Sequence, residues 1–143
     1  MWNNSIVQRA NRIAVALLIL MAMVDIAMAV GWIPLSFFWG VETLQSSATG
    51  IASALLLILM ATLVDRRASS GQPSRWLRLS VWLITAVVVT WASSYWMSEN
   101  AVERWVLGTL SVLAALSCAI VASSTPTIMT TPVYDEIPES SIP

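Results

Sequence analysis

Residues 13–33 form an almost uninterrupted apolar run, broken near its middle by one carboxylate, Asp25. At a helical rise of about 1.5 Å per residue this run is roughly 31 Å long, which matches the ~30 Å hydrocarbon core of a bilayer. Three more apolar runs follow, at about 48–64, 79–97 and 105–122. Few folds are open to such a chain. Backbone amides in hydrocarbon must be bonded within their own segment or in a closed barrel, and runs of this length predict helices. The expected fold class is therefore an all-α integral membrane protein with four transmembrane helices, arranged as two antiparallel helical hairpins.

Composition agrees with that reading. The chain is 57% hydrophobic and only 10% charged, with mean hydropathy +0.76, whereas soluble domains carry about 25% charged residues. Of the 143 residues, 1–124 are expected to make the four-helix transmembrane domain. Residues 125–143 are expected to form a tail, rich in proline and acidic, that cannot span. Little chain is left for a catalytic domain outside the membrane.

The connections carry their own signals. Arg9 and Arg12 precede the first run, where Asn3, Asn4 or Ser5 is placed to cap a helix. Ala27-Met28-Ala29 has the small-residue pattern of a signal-peptide cleavage site. Asp25 interrupts the apolar region just upstream, so the segment is expected to be retained as a span. Gly31, Trp32 and Pro34 punctuate the end of the first run, and Phe37, Phe38 and Trp39 mark an interfacial loop. The second run ends on Asp65-Arg66-Arg67, and Gly71 and Pro73 signal a turn before the third. A tight loop at 98–104 joins the third run to the fourth.

Counting arginines sets an expected orientation. With both termini on one side, that side holds Arg9, Arg12, Arg66, Arg67, Arg75 and Arg78, and the other holds Arg104 alone. The positive-inside rule then places both termini in the cytoplasm. Small size and arginine-only basicity point to a multi-pass protein of a bacterial inner membrane. Glu42, Glu99 and Glu103 fall on the outer side, on loops where carboxylates are expected to be solvated.

Several function classes are excluded by what the chain lacks. It contains neither lysine nor histidine, which removes a histidine base, histidine metal or haem ligation, and a Schiff-base lysine. The net charge of -1 offers no basic field for nucleic acid. A single cysteine, Cys118, cannot form an intrachain disulfide. No metal and no cofactor is expected.

Asp25 is the first candidate for function, because a carboxylate at membrane depth costs about 2.5–3.5 kcal/mol on insertion scales. Ala22 and Ala29 lie on its helical face, so a neighbouring helix can approach closely. It is expected either as a proton or cation site or as an acceptor for hydroxyls. Thr85, Thr90, Ser93 and Ser94 on the third run, and Ser111 and Ser117 on the fourth, are the candidate donors. A carboxylate in the first of four short spans resembles the outline of small multidrug exporters, although the asymmetric loop charge, the long tail and the absence of their motifs set this chain apart.

Other positions carry weaker signals. Gly108, Ser111, Ala115, Ala119 and Ala122, with Cys118 beside them, form a small-residue face for helix packing. Packing inside the chain's own bundle is the expected use of that face, ahead of a dimer contact. Trp32, Trp39, Trp96 and Trp105 at one end of the spans, and Trp76 and Trp82 at the other, are expected as interfacial anchors. Trp91 lies deeper, one turn from Tyr95, and the pair is a candidate wall for a flat ligand, with packing or lipid contact as the plainer use. Arg66, Arg67, Arg75 and Arg78 form a basic cluster suited to anionic headgroups. Tyr134, Asp135 and Glu136, between prolines in the tail, resemble a recognition peptide.

The sequence thus predicts a non-catalytic membrane protein, first as an accessory subunit of a larger complex in contact with lipid and other membrane subunits or copies of itself. The alternative is a homo-oligomeric, proton-coupled small-molecule transporter or channel using Asp25. An enzyme ranks behind both, since only hydroxyls are expected beside Asp25 within the bilayer.

Overall fold

A computed structural model of the chain describes residues 4–33, 47–70 and 74–124, and these are helical apart from short connections. Helix α1 spans Asn4–Ala29, α2 Ser47–Ser69, α3 Arg75–Trp96 and α4 Gly108–Ser123, the last entered through a π-helical turn at Glu103–Leu107. All four helical segments are long and apolar enough to cross a membrane, with mean hydropathies of 2.2, 2.0, 1.5 and 2.1 in chain order. The expected all-helical class with four candidate spans is observed, a composition compatible with a multi-pass membrane protein. The interfacial loop with Trp39, the turn at Gly71 and Pro73, and the tail lie outside the described residues.

Helices α1, α2 and α3 are longer than their apolar runs, and local chemistry sets the ends. After Ala29 the chain turns at Gly31, whose φ of 81° is a left-handed conformation that glycine adopts without strain. The Gly31 amide donates to the Met28 carbonyl at 3.1 Å and the Trp32 amide to that of Ala27 at 2.9 Å. This is a Schellman closure, which satisfies carbonyls that the helix end would leave open. Helix α2 runs on through Asp65, with Arg66 and Arg67 in its last turn, where cations oppose the negative end of the helix dipole. Ser74 caps α3 by accepting from the Leu77 amide. Asn100 opens the last helical segment by accepting from the Val102 amide at 2.9 Å.

Helix α1 packs most extensively on α2, and α3 on α4; α1 also packs along α4. The buried positions on α1 include Ala10, Ala14, Leu18, Met21 and Ala22, which recur at helical spacing. They meet Ala54, Leu57, Ala61 and Val64 of α2, Val81, Ile84 and Val88 of α3, and Ala114, Ala115, Cys118, Val121 and Ala122 of α4 in one cluster. Small residues dominate the inside, while Ile19, Met23, Leu55, Leu59, Leu83 and Leu116 face outward. A soluble protein would not leave so much contiguous apolar surface bare. In lipid, helices gain little from hiding leucine and associate through close backbone approach, which small residues permit.

The small-residue face of α4 is used within the chain. Gly108, Ser111, Ala115, Cys118 and Ala122 are buried in the single chain, and Ala119 is half-buried. The Trp96 indole covers Gly108, where a Cβ would stand 3.1 Å from Nε1. Trp96 also meets Trp105 edge to face, with ring centroids 5.7 Å apart.

The end of the bundle that holds the α2 arginines is tied by side chains. Asn11 Nδ2 donates to Asp65 Oδ1 at 2.9 Å, joining α1 to α2. Arg67 Nη2 donates to the Ser124 carbonyl at 2.7 Å, joining α2 to the end of α4. Arg67 is only 5% exposed, whereas Arg66, Arg75 and Arg78 of the same expected basic cluster are exposed.

Candidate functional site

Asp25 sits four residues before the end of α1, on the side facing α2. Close helix contact is possible there because of Gly50, where a Cβ would lie 2.9 Å from Ala29 Cβ and 3.2 Å from the Asp25 carbonyl oxygen. With the two backbones this near, Ser53, one turn further along α2, reaches the carboxylate: its hydroxyl donates to Asp25 Oδ2 at 2.5 Å.

The donor is thus none of the hydroxyls proposed from the sequence. Thr85, Thr90, Ser93 and Ser94 all turn back onto carbonyls of α3, at 2.8 to 3.1 Å. Such bonds within a helix are the local alternative open to any serine or threonine in a span. Ser111 is fully buried, and its hydroxyl has no hydrogen-bond partner among the described residues.

Asp25 and Ser53 open onto a cleft of about 380 Å³. Helix α3 contributes Trp91, Ser94 and Tyr95 to its lining, α1 adds Met21, Val24 and Met28, and α2 adds Leu57. The π-helical turn contributes Glu103 and Leu107. The deep carboxylate and the deep aromatic pair, read separately in the sequence, therefore share one site. Among the described residues no arginine lines it.

Glu103 is the residue that sequence reasoning misplaced. Expected as a solvated loop carboxylate, it is 7% exposed and lines the cleft. The loop that carries it is well tied. The Ser98 hydroxyl donates to Glu103 Oε2 and accepts from the Asn100 amide at 3.2 Å. Arg104 Nε and Nη2 donate to the Ser98 carbonyl at 3.1 and 2.8 Å. The π turn, closed by the Gly108 amide on the Glu103 carbonyl, adds a residue to the helical repeat. Glu103 and Leu107, four residues apart, both turn inward while Trp105 stays exposed. Turns of this kind recur at functional sites in other helices. Glu99, by contrast, is exposed as expected, and Glu42 lies outside the described residues.

Each carboxylate is thus held by its own serine, Asp25 by Ser53 and Glu103 by Ser98, at the edge of an apolar and aromatic cleft. Such an arrangement can hold positive charge in a region of low dielectric. Trp32, Trp76 and Trp105 are well exposed and Trp82 and Trp96 partly so, as rings at a membrane boundary would be. Among the described residues no group of His, Cys, Asp and Glu has the makings of a metal site.

Comparison of the chain with protein-family models, with curated proteins and with solved structures returned no match.

Proposed function

We propose that this protein is a small multi-pass membrane transporter in which Asp25 is the proton-exchanging group. In this reading the helices insert as two antiparallel hairpins, α1 with α2 and α3 with α4, with both termini cytoplasmic. The protein carries out no covalent chemistry, and several copies assemble to enclose a path. The observation that carries the reading is the single cleft that brings Asp25, Glu103, Trp91 and Tyr95 together. A carboxylate buried only to support packing has no need of an open, aromatic-lined volume beside it. The groups that face Asp25 across the cleft are Glu103 and Tyr95, and no cation among the described lining neutralises it. In this reading a bound proton serves as its counter-charge when no substrate is present.

The accessory-subunit reading stands as the second proposal. It drew on the absence of a chemistry-bearing cluster, a small-residue face, the surplus of tryptophan and a tail able to reach a neighbour.

The test is made in sealed proteoliposomes with a pH-sensitive dye inside, an imposed pH gradient, and a panel of cationic, neutral and anionic small solutes added outside. Wild-type protein is expected to dissipate the gradient faster when one class of solute is supplied. Asp25→Asn, which keeps an acceptor for Ser53, is expected to remain folded and to abolish that dependence. Unchanged solute-driven proton movement in Asp25→Asn overturns the proposal.

A further inference from the structure

The cleft also has a pattern of charge and shape that selects its occupant. Two carboxylates, Asp25 and Glu103, line it, and among the described residues no arginine does. Arg104, next in sequence to Glu103, is committed to the Ser98 carbonyl. Across from Asp25, Trp91 and Tyr95 lie one turn apart on α3 and present two aromatic surfaces to the same volume. Aromatic faces attract organic cations through the ring quadrupole, most strongly where water is excluded. Met21 and Met28 complete the apolar wall, and thioether side chains adapt to irregular ligand shapes. A volume of about 380 Å³ falls within the ~300–1,000 Å³ of small-molecule sites.

Other occupants fit less well. An alkali cation calls for a shell of oxygens and gains nothing from indole and thioether walls. An anion meets two carboxylates. A neutral lipid tail leaves both carboxylates desolvated without compensation.

We propose that the cleft binds a small aromatic or quaternary organic cation, with its charge held by Asp25 and its apolar body against Trp91, Tyr95 and the methionines. This inference rests on the reading of the cleft as a ligand site and adds the class of ligand.

The test is a binding titration, without any ion gradient, of the full chain in lipid nanodiscs with radiolabelled phenyltrimethylammonium. Saturable binding is expected, displaced by the unlabelled cation and not by benzenesulfonate or by tert-butylbenzene, its neutral isostere. Asp25→Asn and Glu103→Gln are each expected to weaken binding by about tenfold or more, and Trp91→Leu by several-fold. Trp91→Leu leaves the Asp25–Ser53 bond intact and carries the test should Asp25→Asn fail to fold. No saturable binding, equal displacement by benzenesulfonate, or affinity unchanged in these variants overturns the inference. Cation binding without proton-driven transport in vesicles leaves this inference standing and removes the transport reading. Proton-driven transport of another solute without cation binding does the reverse.

Discussion

Asp25 was legible in the sequence because its cost is a property of the residue and its depth alone: a carboxylate in hydrocarbon stands out against any neighbours. Ser53 was not legible, because a hydroxyl in a span bonds its own helix by default, as Thr85, Thr90, Ser93 and Ser94 do. Which serine escapes that default depends on the register of α1 against α2, and sequence spacing across residues 34–46 does not set it. The bond has a measurable value. Ser53→Ala removes the donor to Asp25 and is expected to cost about 0.6–1.7 kcal/mol, the range found for hydrogen bonds between membrane helices. Reversible unfolding in mixed micelles reads this directly, and Ser53→Thr, which restores the hydroxyl, is expected to recover most of the loss. A silent Ser53→Ala would mean that Asp25 is not held by α2.

Between helices, the deciding residues are the ones with least side chain. Gly50 lets α1 and α2 approach beside Asp25, and a Cβ there has nowhere to go: Ala29 Cβ is a rigid neighbour at 2.9 Å and the Asp25 carbonyl is backbone. Gly50→Ala is expected to cost about 1–3 kcal/mol by overpacking and to weaken the Ser53 bond with it. Gly108→Ala is expected to be milder, since what it meets at 3.1 Å is the side chain of Trp96 rather than backbone, and that side chain is 43% exposed. Thermal denaturation of the two variants side by side checks the order, and an equal or reversed order would contradict the close α1–α2 contact. The same scale explains Glu103. The tight loop after α3 was visible in the sequence, but the π turn was not, because its extra residue leaves no mark on composition or hydropathy. Glu103, expected at the surface, sits in that turn and lines the cleft.

Taken as a whole, the molecule is arranged with small side chains inside and large apolar ones outside, which is the pattern helices adopt when their surroundings are as apolar as their core. Its accessory and transporter readings separate at this scale. The transporter reading expects gentle extraction to yield a defined homo-oligomer by native mass spectrometry, with no other polypeptide in fixed ratio. A constant foreign component would favour the accessory reading and supply its partner. The number, type and approximate position of the helices were determined by sequence alone, because hydropathy over some twenty residues is a local sum that no neighbour can alter. So was the suspicion attached to Asp25 and to the pair Trp91 and Tyr95. Only the tertiary structure decided that these belong to one cleft, that Ser53 and Glu103 complete it, and that Arg67 binds a helix end. Each of these depends on the rotation and register of one helix against another. In an apolar chain those are set by where small residues let backbones touch, not by any periodic contrast between polar and apolar faces.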